Sequence, residues 1–104
     1  MWAQLITAPL KPGAEDRIPE LLDGLHGTER PGSGLIRSSA FLEDGDPKLL
    51  RILVVFESEQ QARAREADEG RNADLVPVRA LMGELFAGPP SFNDLGVVRE
   101  TPYG

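Results

Sequence analysis

The stretch K-L-L-R-I-L-V-V-F-E-S-E-Q-Q-A, Lys48 to Ala62, changes character at its midpoint. From Leu49 to Phe56 only Arg51 is polar, and a short apolar run of this length, rich in branched side chains, reads as a buried strand. Ser58 then offers a hydroxyl N-cap. Gln61, three residues on, completes the S-x-x-Q form of a capping box, so the period changes there from two to helical. The strand is apolar on both faces: Leu50, Ile52, Val54 and Phe56 fall on one, Leu49, Leu53 and Val55 on the other. Two apolar faces require cover on both sides.

Working outward, G-L-I-R-S-S-A-F-L-E (Gly34 to Glu43) is a second strand run, and the D-G-D-P between the two favours a tight reversal, which predicts a β-hairpin. The opening W-A-Q-L-I-T-A-P-L is strand-like and closed by K-P-G. Ile18, Leu21, Leu22 and Leu25 then follow helical spacing. With Asp16 as N-cap, Pro19 occupies the third helical position, where a missing N–H costs nothing. A further helix is predicted after Gly70, with Leu75, Val78, Leu81, Met82, Leu85 and Phe86 on one face and Gly88, Pro89 and Pro90 ending it. Asp74 and Pro77 there repeat the Asp16 and Pro19 arrangement. S-F-N-D-L-G-V-V-R-E supplies a last strand, weakened by Gly96. The order βαββαβ predicts an α+β, ferredoxin-like sandwich: one domain over 1–104, with an antiparallel four-stranded sheet and helices on one face.

A chain of 104 residues has no third layer to cover the second apolar sheet face. The economical solution is a homodimer packed sheet to sheet. The net charge of -6 argues against binding nucleic acid or an anionic membrane surface, since both would be repelled. A small neutral or apolar ligand fits better. With no cysteine there is no disulfide framework and no thiolate chemistry, which agrees with a cytoplasmic location. The N-terminus lacks a basic leader, and I-L-V-V-F is far too short to span a bilayer, so the chain reads as soluble and unprocessed.

The run F-E-S-E-Q-Q-A (Phe56 to Ala62), with A-L-M-G-E-L-F-A-G-P-P (Ala80 to Pro90) and the element order around them, resembles the antibiotic biosynthesis monooxygenase-like (ABM) family of dimeric α+β barrels. The resemblance implies two protomers paired through their sheets, each with a cavity between sheet and helices for an aromatic or polyketide-like substrate. Some members oxidise quinone precursors with molecular oxygen and without metal or prosthetic group, so no cofactor is expected. Where oxidising members carry Asn and then Trp on the strand before E-S-E, this chain has Ile52 and Phe56; their helical Tyr falls on Ala62, and their Arg matches Arg79. The haem-degrading branch needs a histidine in the second helical region, and Gly70 to Gly88 contains none.

His26, the sole histidine, is a candidate general base, although a histidine at a helix C-terminus also complements the helix dipole and needs no other role. Arg79 is the candidate group for an anionic or phenolic oxygen. Trp2, Phe41, Phe56 and Phe86, with Ile52, are candidate walls of a ligand cavity, and core packing is the competing reading for each aromatic. Metal ligation is not suggested by one histidine and scattered carboxylates. Two functions follow: a cofactor-free monooxygenase acting on a small aromatic molecule, or a non-enzymatic ligand-binding or interaction module on the same dimer.

Overall fold

A computed structural model describes residues 1–103. Four strands, β1 (Trp2–Pro9), β2 (Leu35–Leu42), β3 (Leu49–Phe56) and β4 (Ser91–Gly96), form one sheet in the order β2-β3-β1-β4, with every neighbouring pair antiparallel. Three helices, α1 (Ile18–His26), α2 (Glu59–Glu66) and α3 (Glu69–Leu85), complete the α+β sandwich. The hairpin β2–β3 and the strand-to-helix change at Ser58 are as predicted. Ser58 Oγ accepts from the Gln61 backbone N–H at 3.2 Å and donates to Gln61 Oε1 at 2.9 Å, which settles the first turn of α2.

The alternation in β3 decides where the layers go. Leu50, Ile52, Val54 and Phe56 join Ile18 and Leu21 of α1, Ala62 of α2, and Leu75, Val78 and Leu85 of α3 in a single core. All three helices therefore cover one sheet face. Phe56 and Leu50, near the two ends of β3, are almost wholly buried, and each such side chain contributes roughly 1.5–3 kcal/mol relative to exposure.

Two helix starts differ from expectation. Asp16 caps nothing: Ala14–Arg17 form a 3-10 turn entered through Gly13 at φ 80°, and α1 begins only at Ile18, with Pro19 in its first turn. Likewise α3 begins at Glu69, because Asp68 accepts from the Arg71 N–H at 2.8 Å and takes the cap expected of Asp74. Asp74 lies inside the helix and pairs with Arg30 at 2.6 Å. Pro77 is thus an interior proline; Ala73 and Pro77 are both exposed, so the carbonyl left without its donor can turn to water. The helix also ends earlier than expected, at Leu85, where Phe86 turns extended and bridges to Leu10.

The other sheet face carries no helix. One row across it runs Leu95, Ala3, Val55, Arg37, as the strand registers show. Arg37 Nη2 meets Glu100 Oε1 at 2.7 Å, and Val97 N–H donates to the Met1 carbonyl. To reach Arg37 from Gly96 the chain must cross Ala3 and Val55, three strand spacings of about 4.8 Å each. That crossing accounts for Val55 being only 2% exposed on a face without helices. Farther along, Phe41 beside Arg51 is 51% exposed.

At Gly34, the entry to β2, φ is +83° and a Cβ would lie 2.6 Å from Gln61 Cδ, so glycine is required both by backbone and by space. Strand β2 is thereby seated against the first turn of α2.

Candidate functional site

Between the middle of the sheet and the helices lies a cavity of about 370 Å³, within the range of small-molecule sites. It opens because the mid-strand pairs are small or unbranched at their tips while the strand ends are plugged. Ile6 opposite Ile52 and Gln4 opposite Val54 form the floor. Leu22 and Leu25 of α1 and Leu35 of β2 form the apolar walls. Trp2 stacks obliquely on Phe56, with centroids 6.2 Å apart, and closes the layer beyond.

The polar groups converge at one side. His26, in the last turn of α1, and Glu29 just after it face the cavity, as do Arg65 of α2 and Arg71 of α3. Arg65 is fixed three ways: Nε donates to Glu29 Oε2 at 3.0 Å, Nη2 donates to Glu29 Oε1, and the guanidinium lies 5.3 Å over the Phe56 ring. Arg71 is different. It is 8% exposed, its Nε has no hydrogen-bond partner, and among the described residues no carboxylate comes within ion-pair distance of its guanidinium. Burial pushes its pKa down, Arg65 pushes it the same way, and Glu29 opposes. An arginine does not release its proton in the physiological range, so the charge persists, offset only by the fields of Glu29 and Glu66 and by no direct ion pair.

A smaller chamber of about 230 Å³ lies on the far side of the same two arginines, against the Arg30–Ser33 loop, Gln61 and Asp68. Arg65 and Arg71 are the partition between the two spaces.

The structure brings together two of the residues singled out in the sequence, His26 and Ile52. Phe56 is buried behind the cavity, under Arg65; Trp2 is buried beside it, with the Arg63 guanidinium 5.0 Å over its ring. Phe86 packs at the end of α3 against Leu10. Phe41 lies on the opposite sheet face, because the bulge between Leu35 and Arg37 sets the facing of the rest of β2, so Leu35 and Ala40 supply the wall instead. Arg79 is exposed, one residue off the buried stripe of α3, and does not line the cavity. The guanidinium that does is Arg71. Its signal was present in the sequence: Arg71, Leu75, Val78, Met82 and Leu85 follow helical spacing, which puts an arginine on an apolar stripe.

Among the described residues no group of three or more His, Cys, Asp or Glu is placed to hold a metal ion. No helix is long and apolar enough to cross a membrane.

No protein-family model matches the sequence, and no curated protein does so. Solved structures do match. A protein of Nitrosomonas europaea named as a "putative antibiotic biosynthesis monooxygenase" superposes with a TM-score of 0.74 at 15% identity, covering 95% of this chain and 100% of its own. One of the same name from Bordetella bronchiseptica gives 0.72 at 19% identity, covering 94% and 97%. A second Nitrosomonas europaea protein, of unknown function, gives 0.70 at 22% identity, covering 99% and 95%. The fold of this chain is the ABM-like α+β fold.

Proposed function

We propose that this chain is an ABM-type monooxygenase that needs no cofactor and oxidises a small aromatic or polyketide-like molecule in the cavity between sheet and helices. The observation that carries this reading is the open, mostly apolar cavity with a buried, unpaired guanidinium at its edge. The substrate class is an aromatic with an acidic C–H beside a carbonyl, such as an anthrone. His26 at the cavity mouth takes the proton, since Glu29 is committed to Arg65. Arg65 and Arg71 supply the positive potential that stabilises the resulting enolate oxygen. The electron-rich carbon then reduces oxygen and forms a C–O bond, giving a hydroperoxide. Loss of water from it leaves a carbonyl, so one atom of O2 stays in the product and the other leaves as water. The apolar floor of Ile6, Ile52 and Val54 keeps bulk water from the enolate.

The working unit in this reading is a cytoplasmic homodimer joined through the helix-free sheet face, where Phe41 and Leu95 are exposed beside Leu5 and Leu53. Incubation with anthrone under ¹⁸O2 tests the reaction: one labelled oxygen per ketone product is expected, with no product under nitrogen. Oxidation that is equally fast without the protein would end this reading.

A second reading is favoured by one specific observation. Ile52 and Phe56 stand where the oxidising relatives are expected to have Asn and Trp, so neither of those positions offers a polar group to orient a substrate carbonyl. A non-enzymatic small-molecule-binding or interaction module on the same dimer would then raise its melting temperature with aromatic ligands and return them unaltered.

A further inference from the structure

We infer that the molecule held in the cavity carries a carboxylate, paired with the Nη end of the Arg71 guanidinium at the partition between the two chambers, with its apolar body over Ile52 and Val54. The inference rests on the reading of the cavity as the ligand site and adds to it the ligand's charge and orientation.

One charge in the cavity is left unpaired. Four charged groups line the larger cavity: Asp23, Glu29, Arg65 and Arg71. Glu29 and Arg65 neutralise each other through a two-pronged pair and are both largely buried. Asp23 is exposed on α1, at the rim. This leaves Arg71 as the buried charge without a counterion. A buried donor normally finds a partner, and a native chain that keeps one unpaired has a use for it elsewhere.

Shape then selects the partner. A guanidinium presents its two Nη along one planar edge, which matches the two oxygens of a carboxylate. The smaller chamber offers an apolar body little to rest on, being lined by Arg30, Gly32, Ser33, Gln61 and Asp68, whereas the larger one offers Leu22, Leu25, Leu35, Ile52 and Val54. The anion therefore approaches from the larger cavity, whose wall is mainly apolar, with Gln4, His26 and Ser38 as its neutral polar groups. An apolar body with a carboxylate at one end matches that wall and supplies the counterion that Arg71 lacks. Arg65, pinned by Phe56 and Glu29, acts as a fixed neighbour that raises the local positive potential. The arginines differ in kind: Arg65 is a structural ion pair, whereas Arg71 is a binding group.

The test uses the intact protein and a matched pair of probes, 2-naphthoate and its neutral isostere 2-naphthamide, with affinities measured by calorimetry. Naphthoate is expected to bind about ten- to a hundredfold more tightly than naphthamide, the range set by one charge-assisted hydrogen-bond pair. In Arg71→Met that preference is expected to vanish while naphthamide binding is retained. Equal binding of the two probes by the unmodified protein overturns the inference and leaves the cavity reading standing. Binding of neither overturns the cavity reading and this inference with it. A naphthoate preference that survives in a folded Arg71→Met, checked by its thermal transition, also overturns it, since the anion then sits elsewhere. The unmodified protein alone decides the question should that variant not fold.

Discussion

The two faces of β3 are made from alternate residues of one strand, yet they end in opposite states. On the helix side, Leu50 and Phe56 are packed nearly to completion at the strand's ends, and the space between them is left open with a charge at its edge. On the other side no helix packs; Val55 is covered by the segment after β4, and Phe41, farther along beside Arg51, is half exposed. A cavity next to an unpaired guanidinium lowers stability, while a scattered exposed apolar side chain costs little. The difference teaches that the fold gives up stability on the face where a ligand would sit, and leaves the opposite face unfinished.

The sharpest way to probe this contrast is to truncate one aromatic on each face. Phe56→Ala is expected to destabilise by about 3–5 kcal/mol in urea unfolding, because the cavity it leaves lies behind rigid neighbours, Trp2 and Arg65. Phe41→Ala should change the isolated chain by no more than about 0.5 kcal/mol. Sedimentation should nonetheless show it weakening self-association. Equal losses at the two positions would break the distinction between the faces.

A smaller effect of opposite sign is expected at the cavity edge. Arg71→Met removes a buried charge that has no partner and keeps the length of the stem, so it should raise stability by about 1–3 kcal/mol. A gain in stability together with the loss of anion preference would identify Arg71 as a group kept for binding. Destabilisation would mean that its stem packing outweighs the unpaired charge.

The smallest effect concerns the sheet edge and pH. Asp94 accepts from Gln4 Nε2 at 3.1 Å and from Arg63 Nη2 at 2.8 Å, and these bonds, Gln4's first, hold its carboxyl below the usual carboxylate range. Because the folded pKa is depressed, the unfolded chain binds the extra proton first. The contribution is present above the ordinary carboxylate pKa and is lost as pH falls through the lower folded value. Asp94→Asn should therefore lower stability slightly at neutral pH and leave it unchanged below the folded pKa, which flattens the acid side of the profile. A strong effect at neutral pH would show that the exposed cluster does more than tie β4 to β1.

Much of the architecture could be read from Lys48 to Ala62, since local chemistry there is unambiguous: one uninterrupted apolar strand, one hydroxyl cap, one change of period. The start of α3 was harder to read because Asp68 and Asp74 are competing caps six residues apart, and Pro77 favoured the later one. The helix predicted after Gly70 includes Arg71, but with Asp74 as cap the apolar stripe begins at Leu75 and leaves out its first member, Arg71. The facing of β2 was illegible for a different reason: the bulge at Ile36 shifts the alternation, and nothing in L-I-R-S-S-A-F-L announces it. The Arg37–Glu100 contact joins residues far apart in the chain, and no local pattern encodes such a pairing.

That contact has a kinetic side. The segment that crosses Ala3 and Val55 belongs to the same chain as the surface it covers, so its effective concentration there is fixed by tether length and does not fall on dilution. A second copy docking on the same row must compete with that built-in occupant and displace an exposed ion pair worth only about 0–1 kcal/mol. The latch is weak, and being part of the chain it covers this row at any protein concentration.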